Sequence, residues 1–117
     1  MITHDDIGEL VKKYRRGLVN SMLEFLILDI AEDEDVCGYD VITTLCLDFQ
    51  VLLSPGQVYP VIDALELRGA LEKERSGRRV LLRLTPLGNV LLAAWKRELG
   101  LFQLRLQNRM PSLERVT

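Results

Sequence analysis

Between Gly69 and Thr85 the sequence changes its period, and that change constrains the fold more than any other feature. Upstream, apolar residues recur at steps of three and four, as one face of a helix requires. Ile7, Leu10, Val11, Tyr14, Leu18, Met22, Phe25, Leu26 and Ile30 make one such face; Val41, Ile42, Leu45 and Phe49 make a second; Val58, Val61, Ile62, Leu65 and Leu67 make a third. Residues 71–75 and 79–84 then read as two strands around Ser76-Gly77-Arg78, where glycine permits a tight turn. Beyond them the helical period returns along Leu87, Leu91, Trp95, Leu99, Phe102, Leu106 and Met110.

Local signals mark the same boundaries. Ser54-Pro55 and Thr85-Pro86 each pair a good N-cap with a proline at the first helical position, where its missing N–H costs nothing. Gly69 stops the third helix, Pro111 ends the last, and the acidic run Glu32-Asp33-Glu34-Asp35 reads as a solvated loop. Gly17 is a point where the first helix can bend or divide. The order helix, helix, helix, hairpin, long helix predicts a mainly α fold with a small β-hairpin, a winged helix-turn-helix. Residues 1–85 form its DNA-binding region and residues 86–117 a C-terminal dimerisation helix, within one structural domain of 117 residues.

A helix from Pro86 to Met110 would be roughly 37 Å long, more than one small domain covers. With 48% hydrophobic residues in so short a chain, some apolar surface is expected between chains. The seam approximates a coiled-coil repeat, so a homodimer through Leu91, Trp95, Leu99, Phe102 and Leu106 is expected. The apolar runs are shorter than the roughly 20 residues of a membrane span, and the N-terminus has no signal-like pattern. A cytoplasmic location without membrane partners is the expectation. Cys37 and Cys46 would lie roughly 13 Å apart along a helix, too far for a disulfide. The sole histidine, His4, is near the N-terminus, and no catalytic, metal-binding or cofactor-binding cluster is evident. An enzyme is therefore not expected.

Net charge is −2, but its distribution is uneven. Residues 1–35 carry −5 and residues 36–70 carry −3, whereas residues 71–85 and 86–117 carry +3 each. Local patches rather than the total govern attraction to phosphate. Helix-turn-helix proteins read base edges from the start of the second helix, which makes Ser54, Gly56, Gln57 and Tyr59 candidates for double-stranded DNA. Gly56 would allow close approach, Gln57 could pair with an adenine edge, and the Tyr59 hydroxyl could reach phosphate. Arg75, Arg78 and Arg79 surround the glycine tip of the hairpin and suit backbone or minor-groove contact. Lys12, Lys13, Arg15 and Arg16 are either a solvated face or a contact to flanking phosphates.

Leu26-Ile27-Leu28, Gly38-Tyr39-Asp40, the block from Leu53 to Pro60, Leu65-Glu66-Leu67-Arg68-Gly69 and Leu84-Thr85-Pro86-Leu87-Gly88 together resemble the PadR family of transcriptional regulators. The specific part is Leu-Ser-Pro-Gly-x-x-Tyr-Pro at 53–60. The resemblance implies a homodimeric repressor with the Ser54–Tyr59 helix in the major groove and the C-terminal helix, joined by the first, in the dimer. One departure matters: relatives carry basic residues after the Tyr-Pro pair, where this chain has Asp63 and Ala64. An acid facing DNA repels phosphate. That departure, with an isoelectric point near 5.4, keeps open a second reading, a winged-helix protein–protein module without DNA binding. Trp95 and Phe102 are either core residues or a place where a small aromatic effector stacks at the dimer interface.

Overall fold

The computed structural model describes residues 1–115 of the chain. It has five α-helices, α1 (His4–Ser21), α2 (Leu23–Ile30), α3 (Gly38–Phe49), α4 (Pro55–Leu67) and α5 (Pro86–Arg109). Strands β1 (Leu71–Ser76) and β2 (Arg79–Leu84) form an antiparallel hairpin between α4 and α5, and a 3-10 turn spans Pro111–Arg115. This is a winged helix: α3 and α4 are the helix-turn-helix, and the hairpin is the wing. The expected 86–117 unit is a single long helix and that turn; Val116 and Thr117 lie outside the described residues.

Four of the five α-helices begin where the sequence supplies a cap; α2 starts after Met22 without one. Thr3 and Asp6 form a reciprocal capping box on α1, Cys37 and Asp40 one on α3, and Ser54 and Gln57 one on α4. Thr85 caps α5 by accepting from the Gly88 amide at 3.0 Å, and its hydroxyl donates to the Gly69 carbonyl. Gly88 lies so close to the Ala70 carbonyl that a Cβ there would overlap it. The Leu-Thr-Pro-Leu-Gly block thus locks α5 onto the end of α4.

Two expectations need correction. The first helical face belongs to two helices, and the break falls at Met22 (φ −107°, ψ 4°), not at Gly17, which lies within α1. The apolar period runs straight through the break, so periodicity alone cannot reveal it. Leu67, expected in the core, is 90% exposed at the last residue of α4.

The core lies where α2, α3, α4 and the hairpin converge. Ile27, Leu28, Val41, Leu45, Val58, Ile62, Leu65, Leu71 and Leu82 are its fully buried side chains. Leu81 and Leu82 are both buried, although strand alternation predicts one inward-facing residue of the two. The reason is that a third segment covers β2: the Leu82 N–H donates to the Val36 carbonyl at 2.8 Å, and Cys37 bridges to Leu81. The loop before α3 therefore fastens the wing to the helix-turn-helix. At its far end the hairpin turns on two residues, Gly77 and Arg78, with β1 continuing to Ser76. Gly77 takes φ 62°, as the first central position of a type II′ turn demands.

Candidate nucleic-acid interface

The start of α4 is exposed. Ser54 is extended (φ −105°, ψ 159°), and both its N–H (2.9 Å) and its hydroxyl (3.2 Å) donate to the Gln57 side-chain oxygen. A two-bond adenine contact uses both amide atoms of glutamine. The Gln57 oxygen is therefore taken up by the cap, and its amide nitrogen is the part not held by Ser54. Gly56, Tyr59, Pro60, Asp63 and Leu67 form the exposed stripe of α4, following helical spacing from its first turn to its last. Pro60 lacks the N–H that would bond Gly56, so the Gly56 carbonyl has no helical partner at this surface.

The wing stands beside this stripe across a cleft of about 450 Å³, lined by Tyr39, Tyr59, Lys73, Arg78, Arg79 and Val80 among others. Tyr59 occupies the space that a Cβ on Gly38 would fill, so the Gly38-Tyr39 start of α3 is shaped around it. Tyr39 is 69% exposed at the mouth of α3. It was not among the sequence candidates, because an aromatic in a helix's first turn gives no sign of which surface it faces.

The cations of the wing divide into two groups. Lys73 donates to Asp63 at 2.6 Å and pairs with Glu66 at 3.4 Å, both on α4. Arg83 pairs with Glu74 at 3.0 Å and Asp35 at 3.4 Å. Arg79 pairs with Asp40 and donates to the Asp35 carbonyl at 3.0 Å. Bonds from the Cys37 backbone and thiol, with the Arg79 charge beside them, hold the Asp40 carboxyl below the usual aspartate range. Arg79, expected at DNA with Arg75 and Arg78, also joins the wing to the cap of α3. Arg75 and Arg78 have no acidic partner among the described residues and project from the wing tip.

Lys12, Arg15 and Arg16 line a depression of about 230 Å³ with Gln50, Val51 and Leu52, the turn that leads into α4. Arg15 reaches the Gln50 carbonyl at 3.4 Å, and Lys12 pairs with Glu9 at 3.4 Å. Lys13 is exposed but outside that lining. The α1 cluster thus borders the turn before α4, and the wing borders Tyr59 of α4.

Along α5, Leu92 is buried, Leu91, Leu99 and Leu106 are half-buried, and Phe102 is 55% exposed. Trp95 stacks on Phe25 of α2 with ring centroids 3.7 Å apart, so one of its faces belongs to this chain's own core. A second row, Val90, Leu101 and Leu104, is exposed and was not foreseen. The apolar face expected on the first helix is exposed too, at Ile7, Val11, Tyr14 and Leu18.

A helix-turn-helix followed by an arginine-tipped hairpin defines the winged helix-turn-helix class. Within it, the fold is that of PadR-type regulators, as the sequence resemblance implies. A transcriptional regulator from Clostridium thermocellum superposes with a TM-score of 0.71 at 18% identity, over 80% of this chain and 94% of that one. A PadR family transcriptional regulator from Eggerthella lenta gives 0.68 at 24% identity, over 91% and 93%. A PadR-like transcription factor from Bacteroides fragilis gives 0.66 at 20% identity, over 82% and 97%. No protein-family model and no curated protein sequence matches the chain. No helix of the described residues is long and apolar enough to cross a membrane.

Proposed function

We propose that this chain is a sequence-specific DNA-binding transcriptional regulator, acting as a homodimeric repressor on a pseudo-palindromic site. The observation that carries the reading is the pair of arginines without acidic partners at the wing tip, Arg75 and Arg78, of which Arg78 lines the cleft shared with Tyr59 of α4. Helix N-termini and wing arginines are the groups that winged helices offer to DNA. Ser54, Gly56, Gln57 and Tyr59 read the major groove, Arg75 and Arg78 hold backbone or minor groove, and Lys12, Arg15 and Arg16 hold flanking phosphates. The apolar rows of α1 and α5 are covered by a second copy. An aromatic effector at that interface would meet Trp95 on its other face, beside Leu99 and Phe102.

Titration against random and genomic duplexes at low salt tests the reading. Binding is expected to weaken as salt rises, and Arg75→Ala with Arg78→Ala is expected to lower the salt slope by about two. Equal slopes for the wild type and that double variant would remove the wing from the mechanism. The acids on the recognition surface, Asp63 and Asp40, favour a second reading, a protein–protein module. Failure to bind any duplex at low salt selects that second reading.

A further inference from the structure

Asp63 lies on the exposed stripe of α4, one to two turns beyond Gly56 and Tyr59, where a free carboxylate would repel a DNA phosphate. It is not free. Lys73, in the middle of β1 opposite Leu82, reaches across to Asp63 at 2.6 Å and to Glu66 at 3.4 Å. The Lys73 side chain is 34% exposed, its stem lying along the cleft, while Asp63 is 63% exposed. A cation held from a strand to the recognition helix sets the angle between the two. The Arg79–Asp40 pair does the same for β2 and α3. Each strand of the wing is therefore tied by a charge to one helix of the reader.

We propose that Asp63 is a positioning residue for DNA reading: with Glu66 it holds Lys73, fixing the wing against the recognition helix and keeping that cation off phosphate. The arrangement lowers attraction to arbitrary DNA and raises discrimination. This inference rests on the DNA-binding reading above.

It predicts effects of opposite sign on two duplexes, which simple repulsion does not. If Asp63 only repelled phosphate, Asp63→Ala would tighten every duplex alike. If it positions the wing, Asp63→Ala weakens a duplex enriched from a random pool and tightens a scrambled duplex of the same composition. Exposed charge pairs couple by a factor of about 2–5, so the ratio of the two affinities falls about tenfold. The salt slope on the scrambled duplex steepens by about 0.9 as Lys73 gains a phosphate. In a Lys73→Ala background the positioning contact is already lost, and Asp63→Ala there tightens both duplexes equally. Urea unfolding of each variant confirms that the fold is retained, as expected for an exposed site.

Equal tightening of both duplexes by Asp63→Ala in the otherwise wild-type chain, or no change in either, overturns the inference and leaves the DNA reading intact. Absence of wild-type binding to any duplex removes the DNA reading, and the inference with it.

Discussion

At the residue scale, several side chains do two jobs at once. Asp40 completes the capping box of α3 and receives Arg79 from the wing, so one carboxylate joins a helix start to a strand. Its folded-state pKa is depressed, chiefly by the Cys37 backbone bond. A depressed carboxylate contributes stability that is complete above the unfolded value, about 3.9, and is lost as pH falls through the lower folded value. Asp40→Ala should therefore cost about 1 kcal/mol at pH 7, in the range of a lost cap and a partly exposed ion pair. In urea unfolding across pH, the gap between wild type and variant should close as the medium is acidified below that range. A gap constant with pH would show that the charge is not what matters. Gly88 has a different constraint, because a Cβ there meets the Ala70 carbonyl, which is backbone and cannot swing away. Gly88→Ala is expected to destabilise by roughly 1–3 kcal/mol, readable as a lowered urea midpoint at unchanged slope.

At the element scale, most of the fold is legible from period and punctuation. Ser54-Pro55 and Thr85-Pro86 place the starts of α4 and α5, and Gly77 places the wing turn. The break at Met22 is not legible, because α1 and α2 share one apolar period across it. Nor is the pairing of Val36 and Cys37 with β2, which joins residues more than forty positions apart. The site shows the same limit. The stripe of α4 follows from helical spacing, but which wing cations are engaged depends on contacts such as Arg79 with Asp40, thirty-nine residues away. Five bases in residues 71–85 look alike in sequence, yet only Arg75 and Arg78 lack acidic partners among the described residues. For α5, the exposed Phe102 offers a test of the dimer that spares this chain's own core. Phe102→Glu should shift sedimentation toward monomer while the circular dichroism of the helices persists. An unchanged dimer would place the interface elsewhere.

At the scale of the whole molecule, the chain measures 52 × 31 × 24 Å, elongated well beyond what one small core can cover. In the proposed homodimer a second copy would cover the exposed apolar rows on α1 and α5, and a two-fold axis would place two α4 helices facing one side of a duplex. A net charge of −2 does not oppose this, since much of the acid is paired within the fold or lies away from the wing tip. In the proposed function the surface offered to DNA is the start of α4 with the cations of the wing tip and of α1. Selection of duplexes from a random pool with the purified protein tests that account most directly. It should enrich an inverted repeat with half-site centres about 34–36 Å apart, one turn of DNA. Enrichment of no sequence, or of a site without two-fold symmetry, would contradict a dimeric reader.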